Sequence, residues 1–184
     1  VLFRRQRQMC IRDRYQMFAR TKKFNQNIGA WDTSNVKDFT GMFNRALDFN
    51  NGGSDSINNW NVSKAIKMRA MFFGAIDFNQ PISNWSLKTS YTNSNLLRQF
   101  LQNASNYDKD LTCLDVSHFR NSTAPISFSN GSQLTSSQKP QWGQSVPASC
   151  NAAPTLSSSS PADNDINVSN LSLIHISEPT RLVS

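Results

Sequence analysis

The chain has 184 residues, with 19 lysines and arginines against 12 aspartates and glutamates, which gives a net charge of +7 at pH 7. This basic balance favours a nucleic-acid partner when the chain is taken whole. No run of 18 apolar residues occurs, so the sequence does not predict a membrane-spanning helix.

The two ends of the chain read as foreign sequence. Residues 4–14, RRQRQMCIRDR, and residues 171–181, LSLIHISEPTR, match reading-frame translations of transposase adapter DNA used in sequencing libraries. We therefore interpret 1–14 and 171–184 as adapter-derived and not native, and expect them to be disordered. Without the six basic and two acidic residues of these ends, 13 basic and 10 acidic residues remain. That net charge of +3 is scattered, so no nucleic-acid partner is expected.

An aromatic repeat occupies residues 15–119. Four units align, and they span Met17–Trp31, Met42–Trp60, Met71–Trp85 and Phe100–Leu114. A second aromatic residue follows the first position of each unit by seven, at Phe24, Phe49, Phe78 and Tyr107. Units this small do not bury their own aromatic faces. The repetition therefore predicts a solenoid in which neighbouring units stack around a shared core.

The spacing within a unit predicts its local structure. The pattern Met-Phe-x-x-Ala-x-x-Phe suits one or two helical turns. The Asn-Gln or Asn-Asn pair that follows should end the turn. The next pattern, Ile-x-x-Trp, suggests a short strand. We therefore predict an α/β fold, a leucine-rich-repeat-like solenoid of about four units with one short helix and one short strand each. An irregular cap over 120–150 and disordered ends complete it. The predicted core anchors are Phe24, Phe49, Phe78, Trp31, Trp60 and Trp85.

The stretch FNQNIGAWDTSNVKDFTGMF resembles the repeat of BspA-type leucine-rich-repeat surface proteins, which are also described as a bacterial domain of unknown function first noted in mycoplasmas. The resemblance covers Met17 to about Phe119 and rests on MF-x-x-A-x-x-FNQ followed by I-x-x-W-x-x-S. The resemblance weakens in unit three, where Lys88 stands in place of the serine expected three residues after the tryptophan. It also weakens in unit four, where Leu114 replaces the tryptophan. The resemblance implies an extracellular or cell-surface protein used in adhesion or partner binding, without established catalytic residues.

The region after the repeats changes to serine, threonine, asparagine and proline. Residues 120–150 resemble the segment that closes such arrays, with Phe128, Leu134 and Trp142 covering the last unit; alternatively, Trp142 is a platform for carbohydrate stacking. Residues 151–170 resemble the first strand of a bacterial immunoglobulin-like domain, or form a linker. Cys113 and Cys150 either form a disulfide in an oxidising compartment or remain free thiols.

The sequence offers no catalytic, cofactor-binding or metal-binding residues, so we do not expect an enzyme. His118 occupies a repeat position filled elsewhere by Asn35 and Lys64, which favours a surface role. A polar stripe after the tryptophan position suggests a solvated surface rather than a calcium site, which needs six to eight oxygens. Its members are Asp32, Asn61, Ser86 and Asp115.

Two functions remain. The first is a non-catalytic extracellular scaffold that binds a protein or glycan partner, located outside the cell or on its surface. The alternative is an accessory binding region of a secreted polysaccharide-acting enzyme. Neither function requires a cofactor.

Overall fold

The computed structural model describes residues 13–87, 95–119 and 123–151, all within the compact unit Val1–Ala152. Regular structure in these ranges is limited to four 3-10 helices and three isolated parallel bridges. The helices span Asn51–Gly53, Asp55–Asn59, Ser136–Gln138 and Ala148–Asn151, and the bridges pair Asp13 with Asp38, Asp38 with Lys67, and Ser86 with Asp115. The described ranges contain no α-helix and no continuous strand, so the prediction of an α/β leucine-rich-repeat-like solenoid is wrong.

The backbone hydrogen bonds explain why neither helix nor strand forms. The amide of Met42 donates to the carbonyl of Phe39 within its own turn, at 3.1 Å, whereas the next amide, that of Phe43, donates to the Met71 carbonyl of the following unit, at 2.8 Å. The same alternation recurs in the other units. Since every second N–H serves a short turn and the others serve a neighbour, the bonds of an α-helix are never completed.

Left-handed residues recur at two fixed positions of each unit and make the chain turn sharply. One lies directly before the unit's first residue and the other lies three after it. They are Gln16, Gly41, Ala70, Gln99 and Ser127 at the first position, and Arg20, Arg45, Gly74, Asn103 and Gly131 at the second. A fifth unit start therefore lies at Phe128, inside the predicted cap 120–150, and the Leu101 amide donates to the Phe128 carbonyl at 2.7 Å.

Aromatic rings from successive units stack to form the core. Phe43 lies between Phe18 and Phe72, with ring centroids 5.6 and 5.4 Å away, and it stacks on Phe49 of its own unit at 3.9 Å. Such ring pairs add stabilisation beyond their buried area. The predicted anchors are confirmed as core residues at Phe49, Phe78, Trp60 and Trp85, which are buried, while Phe24 and Trp31 are partly buried against the core.

Tryptophan side chains also connect the units through their indole N–H groups. The Nε1 of Trp60 donates to the Ile28 carbonyl at 3.2 Å, and the Nε1 of Trp85 donates to the Ile57 carbonyl at 2.9 Å. Both indoles are buried, so these bonds satisfy donors that would otherwise lie unpaired in the core. The Ile-x-x-Trp spacing thus forms a hydrogen-bonded ladder rather than a strand.

Asparagines after the second aromatic position form a further ladder. The Oδ1 of Asn25 accepts from the Asn50 amide at 2.8 Å, that of Asn50 from the Asn79 amide at 2.9 Å, and that of Asn79 from the Asp108 amide at 3.1 Å. We predicted that these asparagines would end the turn, and the turns do end before Asn25 and Asn79. Their side chains bond the backbone of the next unit rather than their own.

The region after the repeats packs onto their last described units. Trp142 is 8% exposed and meets Phe119 and Phe128 edge-on, at centroid distances of 5.4 and 5.0 Å. Cys113 and Cys150 form a disulfide, which ties this region to unit four. Trp142 therefore contacts other aromatic rings and presents little surface for a sugar.

The first described residues continue the ladder. Asp13 bridges to Asp38, the Arg14 amide donates to the Asp38 carbonyl at 2.8 Å, and the Arg14 guanidinium lies 5.5 Å from the Trp31 ring centroid. The adapter interpretation placed both residues in the foreign end. The rest of that end, residues 1–12, lies outside the described residues, as do 171–184 and the proposed immunoglobulin-like start apart from Asn151.

Candidate functional site

A surface groove of about 380 Å³ crosses four consecutive units on the side of the sharp turns. Its lining combines three arginines, three side-chain amides and two aromatic rings. They are Arg20, Arg45 and Arg69; Gln16, Asn44 and Gln99; Tyr15 and Phe73. We call this surface the arginine groove.

The turn geometry determines which side chains reach the arginine groove. In unit two, Met42, Phe43 and Ala46 are buried, whereas Arg45 lies at a left-handed position with φ of 57° and is exposed. Arg20 takes the equivalent position in unit one, with φ of 63°. Because the left-handed residues stand at the same point of each turn, their side chains line one face of the stack.

The three arginines are held differently within the arginine groove. The guanidinium carbon of Arg45 lies 5.8 Å from the centroid of the Phe73 ring, within the range of a cation–π interaction. The Nη2 of Arg69 donates to the Gln99 Oε1 at 3.2 Å. Arg20 is exposed. The contacts of Arg45 and Arg69 orient these two cations without neutralising them.

No carboxylate lines the arginine groove in the described part of the chain. The structure describes three ion pairs. They join Lys23 to Asp48 at 3.1 Å, Lys67 to Asp38 at 3.3 Å, and Lys109 to Asp108 at 3.6 Å. None of these ion pairs includes an arginine of the groove. Its positive charge is therefore available to an anionic ligand.

We did not predict this site from the sequence, because the basic residues are scattered along the chain. The interpretation of their charge as scattered is wrong for the three arginines that line one groove. The alignment of the units shows how these arginines come together. Arg20 and Arg45 both stand three residues after their unit's first residue, and Arg69 stands two residues before the first residue of unit three. Equivalent repeat positions lie next to each other in a stack.

The polar stripe predicted after the tryptophan position serves the backbone. The Oδ1 of Asp32 accepts from the Ser34 amide at 2.9 Å, and the Oδ1 of Asp115 accepts from the Ser117 amide at 3.1 Å and from its hydroxyl at 2.7 Å. Hydrogen bonds from Ser34 hold the pKa of Asp32 below its usual value. The carboxylates of the stripe thus cap the backbone amides of the serines that follow them.

The remaining members of the stripe do not form a metal centre. Asn61 caps Ser63 in the same way, with its Oδ1 accepting from the amide at 3.1 Å. Ser86 and Asp115 line a second cavity of about 370 Å³ beside the disulfide. Across the described ranges, no group of three or more histidine, cysteine, aspartate or glutamate side chains is arranged to hold a metal ion.

His118 is exposed on the surface of unit four. In the equivalent positions of units one and two, the Nζ of Lys64 donates to the Oδ1 of Asn35 at 2.8 Å. Asn35 and Lys64 therefore share one polar face of the stack, and the exposure of His118 agrees with a surface role for this histidine.

Comparisons with known proteins identify the repeats. The family described as "Mycoplasma protein of unknown function, DUF285" matches residues 13–142, which is more than half of the chain. Searches of curated proteins and of solved structures found no match. In the described residues, no helix has the length and apolar character needed to cross a membrane. The match includes all four aromatic units and the fifth unit start, and the chain therefore belongs to this family.

Proposed function

We propose that this chain is a non-catalytic binding scaffold from a bacterial extracellular or cell-surface protein. One observation carries the proposal: the arginine groove crosses four units, so its binding groups are distributed along the repeat rather than gathered at one centre. The aromatic side chains stack between units, and alternate backbone amides donate hydrogen bonds to the next unit. Both sets of groups therefore hold the units together. What each unit leaves exposed is a set of polar side chains suited to many modest contacts.

The disulfide supports the extracellular part of the proposal. Bonds such as Cys113–Cys150 form and persist in oxidising compartments and are rare in the cytosol. We propose, as the resemblance to BspA-type surface proteins implies, that the parent protein acts in adhesion or partner binding. In the same proposal, residues 151–170 begin an immunoglobulin-like domain of a longer surface protein.

Binding and turnover assays on the full 184-residue chain test the proposal together. We expect retention on at least one member of a panel of extracellular glycans and proteins, with no release of reducing ends or peptides. Substituting exposed residues that line the arginine groove in different units should weaken binding partially in each case. Measurable product that disappears in the His118→Ala variant, and persists in the Lys64→Ala variant at the equivalent position, would refute the scaffold.

The second candidate is an accessory binding region of a secreted polysaccharide-acting enzyme. The combination of cations, amides and rings in the arginine groove also suits a carbohydrate. The full open reading frame separates the two candidates. A hydrolase domain beside these repeats supports the accessory region, whereas a cell-wall anchor or further immunoglobulin-like domains support the scaffold.

A further inference from the structure

We infer that the arginine groove binds a linear anionic polysaccharide whose sugars carry carboxylate or sulfate groups. This inference rests on the proposed scaffold function and assigns its ligand class. The charge of the groove gives the first reason. Arg20, Arg45 and Arg69 line it without a carboxylate among the described residues, and a guanidinium binds carboxylate or sulfate-like oxygens through two parallel hydrogen bonds.

The other lining groups favour a sugar over a simple anion. Phe73 and Tyr15 offer ring surface for the apolar face of a pyranose, and the Phe73 ring also carries the guanidinium of Arg45. The side-chain amides of Gln16, Asn44 and Gln99 supply both donors and acceptors, as hydroxyl groups require. A small inorganic anion would use the arginines alone.

The regular spacing favours a polymer over a compact ligand. Equivalent ring centroids of successive units lie 5.6 Å apart between Phe18 and Phe43, and 5.4 Å apart between Phe43 and Phe72. The arginines at Arg20 and Arg45 occupy equivalent positions of adjacent units and follow the same stack. Charged groups that recur along an extended chain match this arrangement, because each unit then meets a similar part of the ligand.

An acidic peptide fits the groove less well. Peptides commonly gain affinity by pairing their backbone with a free strand edge. In the turns that form the groove, the amides of Gly41 and Arg45 already donate to the next unit, at 2.9 and 2.6 Å, and that of Asn44 donates within its own turn, at 3.0 Å. The described turns therefore present no row of free amides to a peptide.

Binding of the full chain to four immobilised polymers tests the inference. The probes are polygalacturonate for carboxylated sugars, dextran sulfate for sulfated sugars, dextran for neutral sugars and polyglutamate for acidic peptides. We expect polygalacturonate, dextran sulfate or both to bind, and both dextran and polyglutamate to bind at least about tenfold more weakly, a difference of about 1.4 kcal/mol.

A pair of charge-matched variants locates the binding. Replacing Arg20, Arg45 and Arg69 with glutamine should weaken binding by about 10- to 100-fold, since exposed ion pairs contribute modestly and three are lost. The control replaces three exposed lysines outside the groove with glutamine, and should change binding less than about threefold; they are Lys22, Lys37 and Lys64. Unchanged far-ultraviolet circular dichroism and melting temperature verify folding, and the single glutamine variants replace the triple variant if it unfolds.

Salt dependence gives an independent measure of the same contacts. With about three neutralised anions, the slope of log K against log salt should be about −2 for the natural chain and close to zero for the groove variant, by analogy with single-stranded polyanions. Equal losses in the groove and lysine variants would overturn the inference, as would binding of polyglutamate at the same strength or binding of neither anionic polysaccharide. If a different glycan or protein still binds in those cases, the scaffold function stands without this ligand.

Discussion

Replacing Trp60 with alanine should lower the free energy of unfolding by about 3–5 kcal/mol. Trp60 is 3% exposed, stacks on Trp85 at 6.2 Å between ring centroids, and packs beside Phe39 and Phe43. Truncation removes about 200 Å² of buried ring surface, worth about 5 kcal/mol at about 25 cal/mol per Å². It also leaves the Ile28 carbonyl without its indole donor, at about 1 kcal/mol. Partial collapse of the cavity brings the sum into the stated range.

Equilibrium urea unfolding of the full chain, with the disulfide intact, measures this loss. Lys64→Ala is the control, because Lys64 is exposed and makes one side-chain hydrogen bond to Asn35, so it should change the free energy by less than about 0.5 kcal/mol. Trp60→Phe keeps a ring but removes the indole N–H, and should fall between the two. Equal losses for Trp60→Ala and Lys64→Ala would refute the assigned register of buried and exposed positions.

Three further predictions concern the turns, the disulfide and one buried hydroxyl, all measured by equilibrium unfolding. Ala70→Gly should stabilise the chain by about 0.5–1 kcal/mol because Ala70 has φ of 53°. Ala75→Gly is the control: Ala75 is buried and outside the left-handed set, so losing its methyl group and gaining unfolded-state entropy should destabilise the chain by about 1 kcal/mol. Serine at both Cys113 and Cys150 should cost about 3–4 kcal/mol in the chain-entropy account, and a loss below about 1 kcal/mol would contradict a native bond. The Tyr107 hydroxyl is buried and unpaired among the described residues, so Tyr107→Phe should stabilise by about 1 kcal/mol. Burial and neighbouring aspartate charges raise the Tyr107 pKa. The unfolded state therefore loses this proton first, so above about pH 10 the natural chain should lose stability that the variant keeps.

The sequence alone located the stacked units and most of their core. Apolar spacing identifies which side chains must be buried, and the rule that small units stack does not depend on the backbone conformation. Trp60 and Trp85 were therefore assigned correctly. The conformation of each unit was predicted wrongly, because i, i+4 and i+7 apolar spacing does not distinguish a helix from consecutive turns.

The left-handed residues are the main reason for that difference. Gly41 and Gly74 are natural at positive φ, but the equivalent positions also hold Ala70 and Arg45, which give no such signal in a sequence. Once the chain turns at those points, alternate amides point to the next unit, and hydrogen bonds between units replace those of a helix. Tertiary contacts thus decide the local structure.

The arginine groove was hidden for a related reason. Arg20, Arg45 and Arg69 lie 25 and 24 residues apart in the sequence, and a count of charges along the chain treats them as unrelated. Their proximity follows only from the register of the stack, which places equivalent positions of adjacent units side by side. Reading charge by repeat position instead of by chain position would have revealed the site.

All of these proposals depend on the hydrogen-bond register between units, which nuclear magnetic resonance measures directly through scalar couplings across hydrogen bonds. On the labelled full chain, we predict a coupling from the Phe43 nitrogen to the Met71 carbonyl carbon and one from the Phe72 nitrogen to the Phe100 carbonyl carbon, matching bonds of 2.8 and 3.0 Å. A coupling from the Phe43 nitrogen to the Phe39 carbonyl carbon instead would indicate an α-helix and contradict the stacked-turn architecture.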